Sequence, residues 1–515
     1  QVKRVLTTVG PEQEYFLVDR ELFKKRRDLV CTGRTLFGAR PPKGQELDDH
    51  YFGSIKPRVE AYMQDLDEEL WKLGVLVKTE HNEAAPAQHE LAPIYGPANI
   101  ATDNNQLTME IMQKVASRHG LVCLLHEKPF AGVNGSGKHN NWSLTTDRGL
   151  NLLSPGDTPH ENAQFLTFLC AVVEAVDEYQ DLLRISVATA GNDHRLGANE
   201  APPAIVSIFL GDQLTPALKS LETGKPVEEA KDLVMDLGVD AVPNFIVDAT
   251  DRNRTSPFAF TGNKFEFRML GSNQSIAGPN IALNTMVAEV LGEFADKLEA
   301  ADDFKTALID LLRESLKEHK RVVFNGNNYS EEWVEEAERR GLPNLKATPD
   351  AFATYCEPKN VELFDKHGIY THGELDARQE IHFEDYSKTL NIEALTMLTM
   401  AKREILPAVL DYTKDLADIL TQKKALGDFI DATAEETVLQ NVSKLSGSLV
   451  KKVEILDKTV IEAQGIEDVQ EQARFYQNKV IEAMESLRAT ADELETMVGE
   501  KYWPFPIYED LLFYV

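Results

Sequence analysis

The hydrophobic period of this 515-residue chain changes once, near Gly278-Pro279, and that change limits what each half can fold into. Before it, short β-forming runs alternate with Gly-, Pro- and Asn-rich loops; after it, Leu, Ile and Val recur at helical spacing along charged stretches. Strands are expected at 5–8, 12–18, 76–79, 90–93, 121–125, 204–210 and 264–270, and helices at 58–73, 100–118, 161–184 and 216–221. Strand runs broken by single helices, without βαβ alternation, predict an α+β domain on a mostly antiparallel sheet over residues 1–280. Helical patterns at 281–319, 330–340, 392–422, 433–464 and 466–499 predict a helical bundle over 281–515, its acidic stripe a solvated face. The closing Tyr502-Trp503-Pro504-Phe505-Pro506-Ile507-Tyr508 is too aromatic to lie in water and is expected to dock on this chain or a neighbour.

Charge narrows the functions. With 54 Lys and Arg against 84 Asp and Glu, the net charge of −30 excludes a broad basic surface for nucleic acid and an anchor to an anionic membrane. Small anions need only local arginines and stay open. The longest apolar run, 165–173, is broken by Glu174, Asp177 and Glu178, so no membrane span is expected. The four cysteines form no C-x-x-C pair and fit neither a zinc cluster nor a disulfide framework, which points to a reducing cytoplasm. The chain opens on Gln1 without a Met or a signal peptide and reads as a fragment of a protein with a further upstream domain.

Glu12 and Glu14 alternate along a strand pattern, so both face one side while Gln13, Tyr15 and Leu17 face the other. Two like charges that close repel unless a cation lies between them; alone, the pair also fits a solvated strand face. Glu83 and Glu90 sit in an apolar, Pro-containing segment and are expected to face inward. Asn134-Gly135-Ser136-Gly137-Lys138-His139 adds a glycine turn open to a ligand and a histidine able to bind a metal. Arg195, Arg252, Arg254 and Arg268 match carboxylates and phosphates, though each alone also fits a structural salt bridge. Lys264, Glu266 and Arg268 share one strand face and Phe265 and Phe267 the other. Six oxygen or nitrogen ligands beside several arginine forks suit hard divalent cations and a phosphorylated substrate.

In this order the blocks at 10–16, 83–90, 134–143, 195–202 and 252–268 resemble glutamine synthetases, and the long helical tail, with Phe324-Asn325-Gly326-Asn327-Asn328-Tyr329-Ser330 and the Trp-Pro-Phe-Pro ending, resembles the type III branch. The resemblance implies the glutamine synthetase-like fold, α+β on a curved, mostly antiparallel sheet. It also implies one Mg²⁺ or Mn²⁺ on Glu14, Glu83 and Glu90 and a second on Glu12, His139 and Glu266. Asn134 and Gly135 would hold glutamate, Arg195 its α-carboxylate and Arg268 its side-chain carboxylate. Arg254 would stabilise the transferring phosphoryl group, and Glu200 would be the flap glutamate that shields the intermediate and deprotonates ammonium. Asn141, Ser143 and Lys264 would contact ATP; Asn141 replaces a histidine common in type I, and Lys264 a phosphate-binding arginine. Ala259 stands where type I and II enzymes carry a further arginine. The implied reaction makes glutamine from glutamate, ammonium and ATP in a homo-oligomer of stacked hexameric rings, a dodecamer, completed at the ammonium site by a small N-terminal β-grasp domain. A γ-glutamyl-amine ligase and a non-catalytic scaffold of the same fold are the alternatives, and retention of clustered, mutually repelling carboxylates argues against the scaffold.

Overall fold

Glu12 and Glu14 lie on a 15-residue strand, β1 (Val5–Asp19), which joins the two short strands expected there. Gly10 and Pro11 suggest a local break, but the ladder to a neighbouring strand runs unbroken from Val5 to Gln13, and tertiary pairing overrides it. The structure, a computed structural model, describes residues 2–224, 234–235, 245–246, 255–427 and 429–515, without the side chains of Asp212, Gln213, Val234, Met235, Phe245 and Ile246. The further strands are β2 (Val77–Asn82), β3 (Gln88–Pro93), β4 (Gly96–Pro97), β5 (Leu121–Leu124), β6 (Lys138–Thr146), β7 (Ile208–Phe209), β8 (Val234–Met235), β9 (Phe245–Ile246), β10 (Phe258–Phe260) and β11 (Phe265–Phe267). Nine of them form one open sheet in the order β2-β3-β1-β6-β11-β10-β7, with β4 and β5 also on β1; β8 and β9 pair separately. Among the described residues the pairings between these strands are antiparallel except β10–β7, and Ile208 of β7 also forms an isolated parallel bridge to Val323.

Strand alternation sorts the two faces as the sequence requires. Tyr15 and Leu17 are buried under the helices Pro57–Lys72 and Ala98–Arg118, packed with Tyr62, Leu66, Leu70, Met112 and Val115. On the opposite face, Phe16 and Val18 close a small core with Phe130, Tyr508, Leu511 and Leu512. The aromatic ending therefore docks on its own chain. The Tyr508 hydroxyl meets Thr35 Oγ1 at 2.6 Å and accepts from Arg488 Nη2 at 2.8 Å, and Trp503 and Phe505 join the largest core.

That core runs without interruption from Val9 to Phe505, through the helices Ala163–Glu178, Ala277–Glu299, His372–Met400, Thr433–Gln464 and Ile481–Met497. The helix beginning at Ala277 is fastened to the sheet: Asn140 Nδ2 donates to Asn280 Oδ1 at 3.0 Å and Trp142 Nε1 to Asn284 Oδ1 at 2.8 Å. The pattern read as one helix over 281–319 is two, because Asp303 caps a new start at Phe304 by accepting from Lys305 N. Likewise the 392–422 pattern joins the end of His372–Met400 to Leu406–Leu426 through a π-helical turn at Ala401–Ile405. Pro407 has no N–H for an α-helical bond at that junction, and the wider turn accommodates it. Among the described residues, no helix is long and apolar enough to cross a membrane.

Candidate active site

Register builds the site. β1 pairs with β3 so that Glu14 lies opposite Glu90, and with β6 so that Glu12 lies opposite His139. On the far side of β6, Glu266 of β11 is opposite Asn141, and on the far side of β3, His81 of β2 is opposite Glu90. Four adjacent pairings thus bring four carboxylates and two histidines to one sheet face. Facing like charges weaken a sheet unless something offsets them. Glu14, Glu83, Glu90 and Glu266 are all buried.

The ligand atoms fall into overlapping groups, each within 4.8 Å: Glu12, His139 and Glu266; Glu14, Glu90 and His139; His81, Glu83 and Glu90. His139 joins the first two, its Nδ1 lying 3.2 Å from Glu12 and 3.1 Å from Glu266 while its Nε2 lies 3.9 Å from Glu14. Glu83 keeps company with Glu90 through His81, whose Nε2 is 3.0 Å from Glu90 and whose Nδ1 is 3.6 Å from Glu83. His81 was not anticipated. Its signal was the alternation His81-Asn82-Glu83, which puts the histidine on the face of an already suspected acid.

Around Glu83 and Glu90 the electrostatics are those of acids too crowded to be fully charged. Burial pushes the Glu83 carboxyl up to about 8, and the charges of Glu14 and Glu90 add to it. Burial also lifts Glu90, against the pull of its hydrogen bond to His81, and that bond raises His81 to about 9. Burial alone would lower His139, but its hydrogen bonds to Glu12 and Glu266 raise it to about 10. Glu266 Oε2 is buried with no hydrogen-bond partner among the described residues. Hard cations fit this set: they replace shared protons, satisfy the orphaned oxygen and remove the repulsion.

Around the acids lie others of the expected residues. The Gly137 N–H donates to Glu14 Oε2 at 2.6 Å, so the glycine turn orients the carboxylate directly. Asn134 Nδ2 donates to Glu200 Oε2 at 3.3 Å, and Asn199 and Glu200 are left-handed, at φ 52° and 67°. Gln45 grips Asn134, donating to Oδ1 and accepting from the backbone N–H, both at 2.8 Å; it lies far off in a loop and carries no local signal. Arg195 is buried and donates to the carbonyls of Arg268, Met269 and Leu270, while its Nε has no acceptor among the described residues. Gly135 and Gly137 permit this packing: a Cβ on Gly135 would lie 2.3 Å from Glu127 O, and one on Gly137 2.1 Å from Arg195 Nη2.

Asn141 Nδ2 donates to Glu12 Oε1 at 2.8 Å, and Lys264 Nζ donates to Asn141 Oδ1. Ser143 Oγ lies 3.0 Å from both Asn151 Oδ1 and Asn263 O, to either of which its one hydroxyl proton is donated. Arg268 is buried, its Nε 3.8 Å from Glu266. Ala259, opposite Glu266 in the sheet, is buried. Arg252 and Arg254 lie outside the described residues.

Three overlapping groups of side chains able to hold a cation, beside buried arginines, are the arrangement of a candidate enzyme active site. The family description "Glutamine synthetase, catalytic domain" matches residues 3–204, and "Glutamine synthetase C-terminal domain" matches residues 307–424. A glutamine synthetase of Butyrivibrio fibrisolvens is 52% identical over 99% of this chain and 73% of its own length. A type-3 glutamine synthetase of Dictyostelium discoideum is 45% identical over 99% of this chain and 70% of its own, and a glutamine synthetase of Bacteroides fragilis (strain YCH46) 43% identical over 99% and 72%. The chain belongs to the glutamine synthetase family.

Proposed function

We propose that this protein joins ammonia to the γ-carboxylate of L-glutamate, driven by ATP, giving L-glutamine, ADP and phosphate. The observation that carries the reading is the register that sets Glu14 against Glu90 and Glu12 against His139 beside Glu266. Glu14, Glu83 and Glu90 hold one divalent cation, Mg²⁺ or Mn²⁺, and Glu12, His139 and Glu266 a second. When bound, two such cations neutralise the phosphate oxygens and the attacking carboxylate.

Arg195 and Arg268 take the α- and side-chain carboxylates of glutamate, with Asn134 and Gly135 alongside; the unsatisfied Nε of Arg195 is a charged donor that a carboxylate completes. Lys264, Asn141 and Ser143 hold the nucleotide, and Arg254 takes up charge on the transferring phosphoryl group. A γ-carboxylate oxygen attacks the γ-phosphorus and ADP leaves; ammonia then attacks the acyl carbon and phosphate leaves with that oxygen. Because water would destroy γ-glutamyl phosphate, the Glu200 loop closes over it, and Glu200 takes a proton from ammonium. Residues 1–280 form the catalytic part and residues 281–515 the helical part used for contacts in stacked hexameric rings, in the cytoplasm.

The purified chain with ATP, Mg²⁺, glutamate and hydroxylamine is expected to form γ-glutamyl hydroxamate with saturable glutamate dependence. ATP hydrolysis that ignores glutamate and yields no hydroxamate would overturn the reading. Gly137→Ala is expected to raise the KM for glutamate about tenfold or more and to cost about 1–3 kcal/mol of stability, since the new methyl meets an Arg195 already held by three carbonyls. Paired kinetics and denaturant unfolding check both effects.

A further inference from the structure

A cavity of about 340 Å³ lies between the segment carrying Arg195 and the C-terminal helices. One wall is Arg195, Leu196, Ala198 and Asn199; another is Met397 at the end of His372–Met400, with Ile481, Met484 and Arg488 of Ile481–Met497. None of Glu12, Glu14, Glu83, Glu90, His139 and Glu266 is among its lining residues. The volume falls in the range of small-molecule sites.

Its charge runs against that of the chain. In a protein of net charge −30, the lining holds Arg34, Lys128, Arg195 and Arg488 and one carboxylate, Glu485. Arg34 is forked onto Glu393 at 2.7 and 2.6 Å, and Arg488 pairs with Asp492 at 3.1 Å. Lys128 has no such partner: its ammonium donates to the Val133 carbonyl, and among the described residues neither it nor Arg195 is in a salt bridge. His194 also lines the cavity, and its Nε2 is buried without a hydrogen-bond partner. Burial, then the charges of Arg34, Arg488 and Lys128, drives this imidazole well below its ordinary range. Burial and Arg195 bring Lys128 down to about 8. Arg34 and Arg488 already have carboxylate partners, whereas an anion beside Lys128 and Arg195 supplies the counter-charge these two lack among the described residues. Apart from Thr35 and Asn199, the remaining lining is apolar or glycine and includes Leu36, Met397, Ile481 and Met484, with two thioethers that adapt to irregular shapes.

We infer that this cavity binds a small organic carboxylate with an apolar body, its charged end at Lys128 and His194 and its body against Met397, Ile481 and Met484. The site stands apart from the acid-lined centre and touches it through Arg195 and through Asn199, the neighbour of Glu200. Occupancy therefore couples the C-terminal helices to the loop over the substrate. That coupling rests on the ligase reading, whereas the binding site does not, and a binding assay separates the two.

The probe is 4-phenylbutyrate, with its uncharged amide as control, titrated calorimetrically into the full chain. The carboxylate is expected to bind once per chain, at least about tenfold tighter than the amide. Lys128→Met is expected to weaken it about tenfold, and Met484→Trp, which fills the cavity, to abolish it, with the melting temperature checked for each variant. Ile481→Phe serves if Met484→Trp does not fold. Saturating L-glutamate is expected to leave the probe bound, its apparent Kd levelling off. The site would be overturned by carboxylate and amide binding equally, by no saturable binding at millimolar probe, by unchanged affinity in a folded cavity-filling variant, or by an apparent Kd rising in proportion to glutamate. A bound probe that leaves the KM for glutamate unchanged would remove the coupling and keep the site.

Discussion

His139→Ala is expected to lower glutamate-dependent phosphate release by about a thousandfold or more, with the fold retained. The reason is its place between the two groups: Nδ1 lies 3.2 Å from Glu12 and 3.1 Å from Glu266, and Nε2 3.9 Å from Glu14. The substitution therefore removes a ligand from the position formed with Glu12 and Glu266 and takes away the neighbour that Glu14 and Glu90 share with that position. It also removes the hydrogen bonds that hold Glu12 and Glu266 below the ordinary carboxylate range against the pull of burial. The variant is expected to bind Mn²⁺ far more weakly, measured by equilibrium dialysis, while its circular dichroism stays that of the parent. Near-normal turnover would remove His139 from the metal centre.

The largest stability effect is expected far from the chemistry. Arg26 and Asp28 are both fully buried, joined at 2.9 and 2.5 Å, and Arg26 also donates to Pro506 O at 2.9 Å and to Phe37 O at 2.6 Å. Its guanidinium lies 4.4 Å from the centre of the Phe505 ring. This arginine pins the Pro-Phe-Pro ending against the start of the chain. Arg26→Met leaves the Asp28 carboxylate buried with only the N–H groups of Leu29 and Leu36, at 2.9 and 2.8 Å, and is expected to cost about 3–5 kcal/mol. Adding Asp28→Asn removes the stranded charge and is expected to recover part of the loss. Urea unfolding of both variants measures it, and a cost below about 1 kcal/mol for the single substitution would show the pair to be dispensable.

How far the fold and site were legible follows from which interactions are local. Period-two alternation set Glu12 and Glu14 on one face of β1 and Tyr15 and Leu17 on the other, and the structure keeps both assignments. The inward turn of Glu83 and Glu90 followed from their apolar neighbours, and the helix at 433–464 from its period alone. What escaped depends on partners distant in sequence. β6 was not anticipated because Asn140 and Asn141 lower its strand propensity, and it exists through its ladders to β1 on one side and β11 on the other. His81 joins the site only because β2 pairs with β3 in a register that sets it opposite Glu90. Gln45 reaches Asn134 across 89 positions, a contact no local pattern encodes.

The most direct test of the account follows the oxygen atoms. Glutamate carrying ¹⁸O in its γ-carboxylate, turned over with ATP, Mg²⁺ and ammonium, is expected to deliver one ¹⁸O atom to each phosphate released and to leave the other in the glutamine amide. Mass spectrometry of the phosphate reads this without reference to rate. Phosphate free of ¹⁸O while glutamine accumulates would mean that the γ-carboxylate is never phosphorylated, and would contradict the account at its centre.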